Sequence, residues 1–82
     1  MWRVSIYAGV LKRLARLSTH DRARLLKAIY ALADDPFTHS EKLQGRPEWR
    51  LRVGNWRMLL RIDQETHTVY VIEAGPRGDV YK

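Results

Sequence analysis

The chain has 82 residues, of which 15 are Lys or Arg and 9 are Asp or Glu, so its formal net charge is +6. It contains no cysteine, which excludes disulfide frameworks, thiolate nucleophiles and cysteine-ligated metal sites. So basic a charge on so short a chain favours an anionic partner, such as nucleic acid or an acidic protein segment.

Length and hydropathy indicate a single domain, residues 1–82, outside the membrane. No stretch approaches the roughly 18 consecutive apolar residues of a membrane span. The opening residues, MWRVSIY, lack the continuous apolar run of a signal peptide. We therefore expect a cytoplasmic protein.

The first part of the chain predicts a strand followed by two helices. Apolar and polar residues alternate over residues 2–7, as in a half-buried strand. Residues 8–17 have apolar side chains at helical spacing, and Ser18 or Thr19 can cap a second helix. That helix must end before Pro36. The side chains it is expected to bury are Leu25, Leu26, Ile29, Leu32 and Ala33.

The second part predicts strands. Residues 37–48 are polar and irregular, as in a connection from helices to sheet. Residues 49–53 and 56–62 form the two strands of a hairpin, and residues 68–74 form a third strand, expected to be covered on both faces. Two further segments are a polar turn at 63–67 and a break at 75–78, after which 79–82 add a short extended piece.

This order predicts an α+β fold. An N-terminal strand and a two-helix hairpin are followed by three to four antiparallel strands, and such elements bury their apolar sides when the helices pack on one face of a curled sheet.

The stretch RLRVGNWR, residues 50–57, is typical of a hairpin with a two-residue turn that begins at Gly54. This register places Arg52 opposite Arg57, with Arg50 on the same face and the apolar pairs on the other. Like charges directly across a ladder are destabilising, so the arginines indicate a binding function. Grouped guanidinium groups can clamp a phosphate. The alternative is a solvated face whose arginine stems cover apolar surface.

Other chemistry finds little support in the sequence. His20, His39 and His67 are widely spaced and have no companion carboxylate at ligand spacing, so we expect no metal site. Asp34 and Asp35 are explained by a helix end before proline. The serines lack a glycine-framed elbow, and no phosphate loop or dinucleotide fingerprint is present. We therefore expect no cofactor.

The strongest pattern runs through KLQGRPEWRLRVGNWRMLLRI, residues 42–62, and VIEAGPRGDVY, residues 71–81. It combines a Lys-Leu-x-Gly lead, a strand with alternate basic residues, a tight turn, an aromatic-Arg pair and a final Gly-x-Arg followed by Tyr. In this order and spacing, the chain resembles the RelE branch of the RelE/ParE toxin superfamily, from toxin–antitoxin pairs, over nearly its whole length.

The resemblance implies a RelE-like fold and a metal-independent endoribonuclease, a messenger RNA interferase. Such toxins cleave messenger RNA in the ribosomal A site, by attack of a 2′-hydroxyl on the adjacent phosphate, and so inhibit translation. The family's catalytic residues fall on Arg50, Arg52, Arg57, Arg77 and Tyr81. Well-known members have lysine at the first two of these positions. Arginine does not lose its proton, whereas nearby positive charges favour a phenolate, so we expect the tyrosine to be the general base.

The resemblance also implies partners, namely the ribosome with its message and a cognate antitoxin. We expect the toxin alone to be monomeric and to enter a higher-order complex with the antitoxin. The candidates for binding ribosomal RNA are Lys12, Arg13, Arg16, Arg22, Arg24, Lys27, Lys42 and Arg46. A solvated helix surface is the alternative for the helical cations. Two other functions stay open: a ParE-like inhibitor of DNA gyrase and a non-catalytic RNA-binding module.

Overall fold

A computed structural model describes residues 1–76 and confirms the predicted α+β order. The elements are β1 (Arg3–Ile6), α1 (Ala8–Ala15), α2 (Thr19–Ala31), β2 (Glu41–Lys42), β3 (Trp49–Val53), β4 (Trp56–Asp63) and β5 (Thr68–Pro76). They form one five-stranded sheet in the order β1-β5-β4-β3-β2. Strand β1 runs parallel to β5, and the other neighbours are antiparallel. The sheet is therefore mixed.

The helix boundaries follow local signals in the sequence. Helix α1 ends at Ala15, two residues before the expected end. Ser18 caps α2, since its side-chain oxygen accepts a hydrogen bond from the backbone N–H of Asp21 at 3.2 Å. Helix α2 ends at Ala31, ahead of Pro36. No helix of residues 1–76 is long and apolar enough to span a membrane.

The core lies between the helices and one face of the sheet. Its buried side chains are Val10, Leu14, Leu25, Ile29, Leu32, Leu51, Met58, Leu60, Val69, Val71 and Ala74. Of the apolar side predicted for α2, Leu25, Ile29 and Leu32 are fully buried, whereas Leu26 and Ala33 are half-buried. Because the core side chains of β3, β4 and β5 point towards the helices, the residues between them point to the opposite, outer face of the sheet.

Strand β5 departs from the sequence expectation in two ways. Its helix side is buried, but on the outer face Tyr70 is half-buried and Glu73 is exposed, so the expected cover on both faces is wrong. Leu59 of β4 pairs with Glu73 and the next residue pairs with Val71, which leaves Ile72 as the extra residue of a bulge. The strand continues to Pro76, beyond the expected break. The extended piece predicted for 79–82 lies outside the described residues.

Candidate functional site

The β3–β4 hairpin forms the centre of the site. Arg52 lies directly opposite Arg57, and Arg50 lies two residues along β3 on the same outer face. We call these three residues the arginine patch. Gly54 turns the chain between the strands with φ of 58°, a conformation that favours glycine. A Cβ atom built on Gly54 would lie 2.9 Å from Nη2 of Arg24, so this cation of α2 reaches the hairpin tip.

The apolar pairs of the hairpin fall on the helix side, as the register predicted. Val53 pairs with Trp56, and Leu51 pairs with Met58. Leu51 and Met58 are buried in the core, whereas Arg52 has 53% of its side chain exposed. One face of the hairpin therefore stabilises the fold, and the other carries the arginines, of which Arg52 is exposed and Arg50 and Arg57 are half-buried.

A carboxylate that the sequence did not predict lies on the patch. Strand β2 occurs within the expected irregular connection and pairs Glu41 with Arg50. Arg50 donates a hydrogen bond from Nη2 to Oε2 of Glu41, and Oε1 of Glu41 lies 3.9 Å from Nη1 of Arg52. The hydrogen bond from Arg50 and the charges of the patch hold the pKa of Glu41 below its usual value. Two residues are too short for a periodicity signal, and the opposed arginines had indicated a bound phosphate, so this acid of the chain itself was missed.

The neighbouring strands shape the rest of the outer face. Leu59 lies opposite Arg50 and is buried, which gives the patch an apolar floor. Across β4 from the other side, Arg57 faces Gly75 of β5. Because glycine has no side chain, β5 places no side chain beside Arg57 at this position of the outer face. Strand β5 also leads the chain towards Arg77, two residues beyond Gly75.

A second charged cluster lies next to the patch and is built around Glu48. Its side chain is only 11% exposed and binds Arg46 at 3.1 Å and Arg61 at 3.2 Å. Burial raises the pKa of Glu48, but hydrogen bonds from Arg61, from a backbone N–H and from Arg46, together with the charge of Arg46, leave the pKa below its usual value. Lys42 donates a hydrogen bond to the backbone carbonyl of Arg46. Lys42 and Arg46, two candidates for RNA binding, thus also shape the connection before β3.

Helices α1 and α2 carry the remaining cations on the helix side of the sheet, except that Arg24 reaches the hairpin tip beside the patch. Some of these cations have structural contacts. Arg13 donates a hydrogen bond from Nη1 to the backbone oxygen of Ala74 at 2.6 Å. Arg22 is half-buried, and its Nη1 lies 3.4 Å from each of two carbonyl oxygens at the end of α1. The exposed side chains of the set are Lys12, Arg13, Arg16, Arg24 and Lys27.

Three of the five predicted catalytic residues lie in the described part of the chain, and the structure brings these three together. Arg50, Arg52 and Arg57 share one patch, as expected from the hairpin register. Arg77 and Tyr81 lie outside the described residues. The patch offers several fixed N–H donors that stay charged at any physiological pH, an arrangement suited to binding and stabilising a phosphate.

Comparisons with known proteins identify a matching family and similar solved structures. Residues 6–81 match the sequence model of a family described as the ParE toxin of the type II toxin–antitoxin system parDE. A chain of the archaeal RelE–RelB complex from Pyrococcus horikoshii OT3 is 25% identical, with a TM-score of 0.83 over 95% of this chain and 97% of that one. A comparison with curated proteins finds none that matches.

Bacterial structures show the same fold. A chain of the toxin–antitoxin complex RelBE2 from Mycobacterium tuberculosis is 23% identical, with a TM-score of 0.82 over 93% of this chain and 98% of that one. A chain of the intact E. coli RelBE complex is 22% identical, with a TM-score of 0.80 over 93% and 96%. The two bacterial structures are described as toxin–antitoxin complexes, and the archaeal structure is described as a complex of RelE with RelB.

Proposed function

This chain belongs to the ParE toxin family of type II toxin–antitoxin systems, within the RelE/ParE superfamily, and from that premise we propose that it cleaves messenger RNA in the ribosomal A site. The observation that carries the proposal is the arginine patch, in which Arg52 and Arg57 face each other on the outer side of the sheet. A patch that lowers the stability of its own hairpin is best explained by a bound anion. A phosphodiester supplies that anion.

Cleavage without a metal ion needs three things from the protein. A base removes the proton of a 2′-hydroxyl, donors stabilise the charge that grows on the attacked phosphate, and the leaving 5′-oxygen gains a proton. We assign the charge stabilisation to Arg52 and Arg57, because these two residues are paired directly across adjacent strands on the same face. Arg50, which is only 23% exposed, orients the chain.

Two roles fall on residues beyond the described part of the chain. We assign the general base to Tyr81, because a phenol near several cations ionises more easily than one in water. Arg77 stabilises or protonates the leaving oxygen. Both assignments come from the family resemblance and from the position of these residues in the sequence, shortly after the end of β5 at Pro76.

The partners follow from the same proposal. A toxin that cuts messages in its own cell requires a cognate antitoxin, and the similar structures are complexes with one. An antitoxin segment with apolar and acidic side chains would suit the sheet and the patch. We propose the cytoplasm as the place of action, since ribosomes and messages are found there.

Inhibition of DNA gyrase is the second candidate, because the matching family is described as the ParE toxin. Inhibition of gyrase requires that the chain bind a protein, and it does not require cleavage of a phosphodiester bond. A supercoiling assay with purified gyrase separates the two functions. Inhibition of gyrase together with an intact message would replace the ribonuclease proposal. A non-catalytic RNA-binding module would leave both the message and gyrase activity unaffected.

The primary test adds the purified chain to ribosomes stalled on a defined message and maps new 5′ ends by primer extension, with a control lacking ribosomes. We expect cuts confined to the A-site codon. Arg57→Ala should lower the cleavage rate on the order of 10²- to 10³-fold, as expected for loss of a charge-stabilising donor. The variant should stay folded, since it removes one of two opposed guanidinium groups.

Arg3→Ala is the matched control for this test. Arg3 is exposed on β1, at the other edge of the sheet, and its loss changes the net charge by the same amount. Its cleavage rate should equal that of the wild-type chain. A fall of less than about fivefold for Arg57→Ala, far below the effect of losing such a donor, would contradict the role assigned to this arginine.

A further inference from the structure

We propose that Glu41 is a built-in counter-anion of the arginine patch, whose carboxylate occupies the position where a substrate phosphate binds Arg50 and Arg52 and is displaced when substrate arrives. The identification of that phosphate as part of an RNA chain rests on the proposed function. The competition between Glu41 and an anion rests on the contacts within this chain alone.

The first argument is geometric. The two carboxylate oxygens of Glu41 bridge the patch, since Oε2 accepts a hydrogen bond from Arg50 and Oε1 lies 3.9 Å from Nη1 of Arg52. A phosphodiester also presents two charged oxygens on one centre, and guanidinium groups bind both kinds of oxygen through the same N–H donors. A phosphate that contacts Arg50 and Arg52 together must therefore share or take over the donors that Glu41 uses.

The second argument concerns charge. The three guanidinium groups of the patch minus the one carboxylate leave a net charge of +2. Removal of the carboxylate from the patch would restore the full +3, which matches better the extra negative charge that develops on a phosphate under attack. Glu41 therefore weakens anion binding in the free protein and opposes the repulsion between the arginines.

The third argument is that Glu41 can leave the patch without disturbing the core. Strand β2 has only two residues, both exposed, at the edge of the sheet. The side chain of Glu41 is 56% exposed, and ion pairs at such exposure contribute little to stability. The backbone of the nearby Leu43 is fixed separately by its hydrogen bond to the carbonyl oxygen of Glu48 at 3.1 Å. Rotation of one side chain is thus sufficient for displacement.

The test compares anion binding by the full chain and by two variants that raise the net charge equally. Glu41→Gln removes the charge on the patch. Glu65→Gln removes a charge from the β4–β5 turn, at the end of β4 away from the hairpin tip. Calorimetric titrations use two probes, inorganic pyrophosphate and a single-stranded RNA oligonucleotide with 2′-O-methyl groups, which cannot be cleaved.

Glu41→Gln should bind pyrophosphate about three- to fivefold more tightly than Glu65→Gln, the gain expected when an exposed ion pair no longer has to be broken. Glu41→Ala, which removes the carboxylate altogether, should change in the same direction. Equal or weaker pyrophosphate binding by Glu41→Gln would overturn the proposal. A gain with pyrophosphate but no binding of the oligonucleotide by any form would keep the role of Glu41 and overturn the identification of free RNA as a ligand of the patch in the absence of the ribosome.

Discussion

Arg52 and Arg57 face each other across two antiparallel strands, a position where like charges lower stability by about 0.2–1 kcal/mol. Glu41 opposes part of this repulsion through its contacts with Arg50 and Arg52. The positive charge of the site is thus partly offset by the exposed acid Glu41. Stability and binding are in conflict at the hairpin, and this conflict is already visible in the sequence, where arginines oppose each other across the turn at Gly54.

The Glu41 contact predicts a pH dependence. The hydrogen bond from Arg50, followed by the charges of Arg50, Arg52 and Arg57, lowers the carboxyl pKa below 4.5 in the folded chain. The resulting stabilisation is complete when the pH is above the pKa of Glu41 in the unfolded chain. It is lost as the pH falls through the lower pKa of Glu41 in the folded chain. We expect the unfolding free energy of the wild type to exceed that of Glu41→Gln near neutral pH and this difference to shrink below pH 4.5.

Urea denaturation over a pH series checks this expectation. Asp35 and Glu48 also have lowered pKa values, but they are present in both proteins, so their effects cancel in the difference. Glu65→Gln serves as the control and should follow the wild-type curve. A difference between wild type and Glu41→Gln that stays constant from neutral pH into acid would show that the carboxylate does not stabilise the folded patch.

Gly54 is the other residue whose identity the hairpin requires. Its φ of 58° is costly for a residue with a Cβ atom, whereas the nearby Arg24 is the flexible end of a side chain and can move. Gly54→Ala should therefore lower the unfolding free energy by about 1 kcal/mol, chiefly through backbone strain. Gly9 lies in α1 with open space around it, so Gly9→Ala should raise stability by up to about 1 kcal/mol. If thermal unfolding showed that both variants change stability in the same direction, these two expectations would be contradicted.

Among the elements, the ones with a strong local signal were predictable. Alternation around Gly54 predicted the β3–β4 hairpin with its register, and the bounds of β3 agree with the expected 49–53. Ser18 and Pro36 predicted the limits of α2 within a few residues. These signals lie within the elements themselves, so no knowledge of distant neighbours was needed.

Elements that depend on distant partners were not predictable. Strand β2 has two residues and exists because β3 offers an edge to pair with, so no period could reveal it. The parallel pairing of β1 with β5 depends on which strands become neighbours after the whole chain has folded. The bulge at Ile72 depends on the register between β5 and β4. The missed carboxylate of Glu41 belongs to the same class, since its role arises only when β2 pairs.

The side chain of Arg13 connects helix α1 to the end of β5. Strand β1 pairs with β5 only as far as Val71, and beyond that point Arg13 donates its hydrogen bond to the carbonyl oxygen of Ala74. Arg13→Ala leaves this carbonyl without that donor and should lower the unfolding free energy by about 1 kcal/mol. Amide hydrogen exchange should become faster in residues 72–75. Lys12→Ala, an exposed neighbour on α1, should stay within about 0.5 kcal/mol of wild type.

The same variant bears on the catalytic assignment, because β5 leads directly to Arg77. If the end of this strand positions Arg77, Arg13→Ala should also lower the cleavage rate on the ribosome, and Arg13→Lys, which keeps a donor, should restore part of it. Equal stability of Arg13→Ala and Lys12→Ala would rule out a structural contribution of the contact with Ala74.

On the scale of the whole molecule, the sheet separates two sets of positive charge. The arginine patch lies on the outer face, and the exposed helical cations Lys12, Arg16 and Lys27 lie on the side formed by α1 and α2. We propose a division of roles, in which the patch acts on the phosphate that is cleaved and the helical set binds phosphates of ribosomal RNA. Phosphate contacts of this second kind depend strongly on salt.

A double variant, Lys12→Gln with Lys27→Gln, tests the division. Both side chains are exposed, so the fold should be unchanged. Binding to ribosomes should weaken, and the slope of log affinity against log salt should decrease by about 1 for each phosphate that the variant no longer binds. Single-turnover cleavage by toxin already bound should keep its rate. Arg57→Ala should behave in the opposite way, with slower cleavage and nearly unchanged ribosome affinity.

The control is Arg3→Gln, which removes one positive charge from the edge of the sheet and should change neither quantity beyond a small general effect of net charge. If the double variant keeps the wild-type salt slope, the helical lysines are a solvated surface, and the ribosome must be bound elsewhere on the chain. If it instead slows cleavage by bound toxin, the helical side takes part in placing the message. The two faces would then act on one RNA strand rather than on separate phosphates.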